Sequence, residues 1–183
     1  VVLGKKMSEH LPFAMAWWHN LCAGGTDMFG RDTADKSFGT EKATMEHAKA
    51  KVDAGATHLI SQLFFDNEKF YRFLERAKLA GITVPIEAGI MPATNKKSIE
   101  RMVSLTNATL PPKFINMMER YGDSPEAIRD AGIAYAVDQI VDLVTNGVDG
   151  IHLYTMNNSY IAKRINEAVR SLFTVAPKDF VIK

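Results

Sequence analysis

From about Glu41 onward, apolar and polar positions follow a repeating order that the first forty residues lack. The stretch "TEKATMEHAKAKVDAG" is rich in helix formers, with Thr40 placed to cap the helix and Gly55 to stop it. "THLISQLFF" follows as a short apolar run with β-branched and aromatic residues, which predicts a buried strand. The scheme then recurs. "NEKFYRFLERAKLAG" sets Phe70, Phe73, Leu74 and Ala77 at helical spacing and ends at Gly81, and "ITVPIEAGIM" reads as the next strand. Three helices come next: "TNKKSIERMVSL", then "PPKFINMMERYG" with prolines suited to a first turn, then "SPEAIRDAGIAYAVDQIVDLVTNG" with Ser124 as cap and Pro125 at the first helical position. "VDGIHLYTM" is the third predicted strand and "NSYIAKRINEAVRSLF" the last helix.

Strands that alternate with helices imply parallel βαβ units, because a parallel connection needs a crossover of roughly a dozen residues. A doubly wound sheet and a (β/α)8 TIM barrel both meet this pattern. No G-x-G-x-x-G or G-x-x-x-x-G-K-[ST] phosphate loop follows any strand, which favours the barrel. A complete barrel takes about 250 residues. The 183 residues with three legible strands therefore predict an α/β fold that is a partial barrel, roughly its last three or four βα units. Residues 1–40 form a separate N-terminal segment without assignment: "HLPFAMAWWHNLCAGG" fits one helix, "TDMFGRDTADKSFGT" a loop, and Trp17, Trp18 and His19 read as packing rather than as a ligand platform.

Composition narrows the classes of partner. The chain is 46% hydrophobic and 23% charged, enough for one sizeable core. With 22 Lys and Arg against 21 Asp and Glu, it has no strong field of the kind nucleic acids or anionic membranes attract, so neither is expected as a partner. No apolar run approaches the ~20 residues of a membrane span, and Glu9 and His10 interrupt what a signal peptide would keep apolar. Cys22 is the single cysteine, which fits a reducing compartment and predicts a cytoplasmic location.

The polar residues at strand ends are the candidate chemistry. Gln62 follows the first apolar run, at the end of a strand where βα proteins place their sites. On residue type alone it reads more readily as a group that satisfies loop backbone than as a ligand contact. Phe64 and Phe65 read as core, and Asp66 as the cap of the following helix rather than as a catalytic acid. Lys51 alone reads as a solvated lysine, and His152 as a buried, hydrogen-bonded histidine rather than a metal ligand. No metal site is predicted.

Taken together, "KVDAGATHLISQLFFD", "GIMP" (89–92) and "DAGIAYAVDQIVDLVTNGVDGIHLYTMN" resemble the C-terminal half of the methylenetetrahydrofolate reductase family, in particular its bacterial form, over residues 41–173. The resemblance implies a (β/α)8 barrel that holds FAD. It also implies an oxidoreductase of one-carbon metabolism and methionine biosynthesis that reduces 5,10-methylenetetrahydrofolate to 5-methyltetrahydrofolate, with NADH or another electron donor. Carried over position by position, it makes Gln62 the reader of the folate pterin, Tyr154 and Met156 part of the folate and flavin pocket, and Lys51 the contact to the FAD diphosphate. The match departs from the family elsewhere. Thr44, His47 and Ala50 stand where the family often has Asp, Asn and Arg, Asn158 replaces an Arg, and Ser98 and Met102 replace a Gln and a Phe. The family's catalytic Glu and its Arg-Gly-Asp segment have no counterpart, so no catalytic residue is assigned. The expectation is a fragment of a longer reductase that is inactive alone, or alternatively a noncatalytic remnant or partner subunit. A half-barrel also exposes strand edges, which predicts a homo-oligomer or association through that surface.

Overall fold

The computed structural model of the protein describes residues 41–106 and 110–174. Six helices and three strands alternate: α1 (Glu41–Asp53), β1 (Leu59–Ile60), α2 (Asn67–Leu79), β2 (Ile86–Ile90), α3 (Lys96–Thr106), α4 (Pro112–Tyr121), α5 (Pro125–Thr145), β3 (Gly150–Leu153) and α6 (Ser159–Val169), with a 3-10 turn at Leu172–Thr174. The strands form a parallel sheet in the order β1-β2-β3, as expected of a partial TIM barrel. Leu59 stands opposite Ile86 and Ile60 opposite Glu87. The predicted Thr40 cap and the readings of residues 1–40 lie outside the described residues.

The chain divides into two compact units. The first contains α1, β1, most of α2 and the start of β2. Met45 and Ala48 of α1, Phe70, Phe73 and Ala77 of α2, and Leu59, Ile82 and Ile86 are its buried apolar residues. Both helices end as the glycines predict. At Gly81, φ is +77°, and the Gly81 N–H bonds to the Lys78 carbonyl while the Ile82 N–H reaches back to Ala77. Gly55 repeats the pattern at φ +111°, with bonds to Val52 and from Ala56 to Lys51. Any residue with a Cβ would be strained in either place.

The second unit holds residues 63–68 and everything described from Ala88 onward. Leu63, Phe65, Met91, Ala93, Ile99, Phe114, Met118 and Ile128 form one buried cluster. Its aromatic centre is Phe114, whose ring lies 4.3 Å from Phe65 and 5.1 Å, edge to face, from Tyr135. Ser124 accepts from the Ala127 N–H and Pro125 opens α5, and Pro111 precedes α4, so the predicted starts of both helices hold. Gly132 of α5 lies against the backbone of Ala93: a Cβ there would stand 1.9 Å from the Ala93 carbonyl oxygen. Only glycine permits so close an approach.

The strand expected over "THLISQLFF" is much shorter in the structure. The ladder continues by one bond, from the Ser61 N–H to the Glu87 carbonyl, and the Ser61 hydroxyl then donates to the Gln62 carbonyl. Phe64 and Phe65 are buried as expected, but their carbonyls are taken by α5 side chains. Gln139 Nε2 donates to Phe64 at 3.4 Å and the Tyr135 hydroxyl to Phe65 at 2.7 Å. These side-chain bonds satisfy the two buried carbonyls. Asp66 is the predicted cap, its carboxylate accepting from the Glu68 N–H at 3.2 Å. The third predicted strand is also narrower and only half-buried, because β3 is an outer strand of the described sheet.

Candidate functional site

The carboxyl ends of β2 and β3 meet in the second unit. The Tyr154 N–H bonds to the Ile90 carbonyl at 2.8 Å, carrying the pairing one residue past β3. From there the two chains diverge into "MPAT" after β2 and "TMN" after β3, and a pocket of about 170 Å³ opens between them. Met91, Pro92 and Thr94 line one side, and Tyr154, Thr155 and Met156 the other. Ser98, Ile99 and Met102 of α3 and Asn158 and Ile161 at the start of α6 complete the lining.

The local sequence explains how these side chains are held. Asn95 accepts from the Ser98 N–H at 3.2 Å, which starts α3 under the pocket. After β3, Met156 and Asn157 both adopt left-handed backbone, with φ of 50° and 63°, uncommon for residues with a side chain. This turn leaves Met156 75% exposed at the rim. Asn158 then caps α6, its side chain accepting from the Ile161 N–H at 3.2 Å. His152 is half-buried rather than buried, since its strand has no further neighbour in the described sheet, and its ring meets that of Tyr154 edge to face at 4.6 Å.

This lining is apolar with a few hydroxyl and amide groups: it suits a flat, largely uncharged ring. It contains no carboxyl, imidazole or amino group, so among the described lining residues none is a strong candidate for general acid catalysis near neutral pH. Small-molecule pockets usually enclose about 300 Å³ or more. At about 170 Å³ this one admits part of a larger ligand rather than the whole.

The structure brings Tyr154 and Met156 together in this pocket. Gln62 and Lys51 belong to the first unit, both half-buried and both engaged in interactions there or elsewhere in the chain. Lys51 stands in the last turn of α1, where the helix presents carbonyl oxygens. That end attracts the lysine itself and disfavours a phosphate. A diphosphate at this end would be held by the Lys51 ammonium rather than by the helix terminus. Ser98 and Met102, legible in the sequence only as departures from a family pattern, are part of the lining. Thr94, Thr155 and Ile161 carry no signal of their own in the sequence beyond a place within or close to the "GIMP" and "HLYTMN" segments.

Outside the pocket, the described residues contain no group of three His, Cys, Asp or Glu placed to hold a metal. No described helix is long and apolar enough to cross a membrane.

Known proteins resemble this chain in both sequence and fold. The family model for methylenetetrahydrofolate reductase matches residues 31–170. The 5,10-methylenetetrahydrofolate reductase of Escherichia coli is 36% identical over 124 residues, covering 68% of this chain and 42% of that protein. Methylenetetrahydrofolate reductase (NADH) 1 of Arabidopsis thaliana is 34% identical over 116 residues, covering 63% of this chain and 20% of that protein. The chain thus spans less than half the length of these relatives. An uncharacterized Clostridium thermocellum protein that binds two copies of 5-methyl-5,6,7,8-tetrahydrofolic acid shares the fold, with a TM-score of 0.50 and 16% identity over 73% of this chain and 49% of that one. With three quarters of its length matched by the family model, the chain belongs to the methylenetetrahydrofolate reductase family.

Proposed function

We propose that the chain serves the flavin-dependent reduction of 5,10-methylenetetrahydrofolate to 5-methyltetrahydrofolate, and that its part is to bind the reduced folate. The observation that carries this reading is the pocket at the ends of β2 and β3, built by the same "GIMP" and "HLYTMN" segments that mark the family. Tyr154 offers an aromatic wall and Met156 a long apolar side chain at the rim, while the Ser98, Thr94 and Thr155 hydroxyls supply hydrogen bonds. Gln62 is proposed to pair with the amide-like edge of the pterin, since a carboxamide presents a donor and an acceptor in one plane. FAD, as the family implies, would supply the hydride, with NADH or another donor replenishing it. Protonation of the folate nitrogen needs an acid, and no described lining residue is one. Binding without turnover is therefore the proposed behaviour of the isolated chain. Cytoplasmic location and homo-oligomer formation or association through the exposed surface of the half-barrel belong to the same proposal.

Titration with 5-methyltetrahydrofolate, followed by an oxidation assay with FAD and an artificial acceptor, tests it. The expected result is saturable binding that Tyr154→Ala weakens about tenfold, consistent with ~1–1.5 kcal/mol for one aromatic contact, with no turnover. Absence of folate binding overturns the reading, and turnover by the chain alone overturns the missing acid.

A further inference from the structure

A methionine sulfur reacts with peroxides according to how freely they reach it. Of the described methionines, Met45, Met91 and Met118 are buried, with 7%, 5% and 7% of their surface exposed, and Met102 and Met117 pack half-buried against the core cluster of the second unit. Among them Met156 alone is exposed, at 75%. The turn after β3 sets this difference. The Asn158 N–H bonds to the Thr155 carbonyl at 3.0 Å and closes a four-residue turn with Met156 and Asn157 at its centre, both at positive φ. Positive φ at both central residues is the pattern of a type I′ turn, which suits Asn and Gly and disfavours a long side chain such as that of Met156. Both flanks are fixed, Tyr154 by its bond to Ile90 and Asn158 by its cap on α6, so the strained residue is held at the rim of the pocket rather than in the core.

We infer that Met156 is a site of reversible oxidation by hydrogen peroxide, and that its sulfoxide weakens ligand binding at the pocket it rims. The second part rests on the folate reading of that pocket. In the reaction the sulfur lone pair attacks one peroxide oxygen and the O–O bond breaks. That oxygen stays on sulfur as the sulfoxide, and the other leaves with both hydrogens as water; sulfur loses two electrons and the peroxide gains them. Met156 thereby changes from a flexible apolar side chain into a polar one with a strong acceptor oxygen. Met91, Pro92, Ile99, Met102 and Ile161 make much of the lining apolar, so a ligand seated against them would strip water from the sulfoxide with little to replace it. Met91 and Met102 line the same pocket, but one is buried and the other half-buried, so Met156 is the described methionine that combines exposure with a place in the lining. A methionine sulfoxide reductase would return it to the thioether.

The test exposes the 183-residue protein to hydrogen peroxide for graded times, removes the oxidant with catalase and reads each methionine by peptide mass spectrometry. Met156 should oxidise about tenfold faster than Met45, Met91 and Met118, and ahead of Met102 and Met117. Once Met156 is converted, titration with 5-methyltetrahydrofolate should show about three- to tenfold weaker binding than in the untreated protein, and methionine sulfoxide reductases specific for the two epimers should together restore it. Met156→Leu, compared with itself before and after the same treatment, should show no such loss. Oxidation of Met156 no faster than that of Met102 and Met117 overturns the oxidation site. Unchanged affinity after Met156 is converted, or an equal loss in Met156→Leu, overturns its control of binding while the folate reading stands. Failure of the untreated protein to bind overturns the folate reading and the control of binding with it, while the oxidation rates still decide the oxidation site.

Discussion

Replacing Gly132 by Ala sets two effects of opposite sign against each other. In an unobstructed helix interior the change stabilises by about 1 kcal/mol, because glycine loses more backbone entropy on folding than alanine. Here the added Cβ would stand 1.9 Å from the Ala93 oxygen, 2.5 Å from its carbonyl carbon and 3.0 Å from its Cα. All three are backbone atoms, so no side chain can rotate away. Helix α5 and the segment after β2 would have to part by about 1 Å in a buried region. Overpacking of this kind costs about 1–3 kcal/mol. It should exceed the propensity gain and leave the variant about 1–2 kcal/mol less stable. In urea, with a slope of about 2 kcal/mol/M for a chain of this size, the midpoint should fall by roughly 0.5–1 M. Ala134→Gly, on an exposed face of the same helix, is the control and should lose about 1 kcal/mol from propensity alone. Ala93 lies between Pro92 and Thr94 of the pocket lining, so Gly132→Ala should also weaken the proposed folate binding. A midpoint that rises on Gly132→Ala would refute the close approach of α5 to Ala93.

Two further substitutions probe the ends of the strands. Tyr135→Phe keeps the ring against Phe114 but strands the Phe65 carbonyl, so stability at pH 7 should fall by about 1–2 kcal/mol in urea titrations. Burial, with Asp66 and Asp138 nearby, pushes the Tyr135 hydroxyl up to about 12. Its contribution is therefore fully present below pH 10 and is lost as pH rises from 10 toward 12, where the unfolded tyrosine ionises first. The variant should lack that part of the alkaline decline, as read by unfolding curves between pH 9 and 12. Asn158→Ala should cost about 1 kcal/mol through the α6 cap and loosen the adjoining rim, with Asn158→Ser restoring most of the stability but not the amide's contact to a ligand.

The elements of this protein were legible wherever their signals act within a few residues. Ser124 with Pro125, Gly55 and Gly81 each work through bonds to groups at most five residues away, so the helix limits they set appear in the structure as the sequence pattern predicts. Asp66 as a cap belongs to the same class. The family resemblance added what periodicity could not, a reason to look at Tyr154 and Met156, and the pocket contains both.

Tertiary packing decided the rest. Whether "SQLFF" continues as a strand depends on hydrogen-bond partners, and the Phe64 and Phe65 carbonyls accept from Gln139 and Tyr135, 75 and 70 residues later in the chain. Gly132 in a helix reads locally as a weak point; only the approach of Ala93 shows why no larger residue fits there. The contact of Arg129 in α5 with the Tyr160 ring in α6 likewise joins two helices whose sequences announce nothing of each other. By itself the sequence determined the order and limits of the helices and the family, because caps, prolines, glycines and apolar spacing act along the chain. The tertiary structure decided the strand lengths and the pocket, because those depend on which distant groups meet.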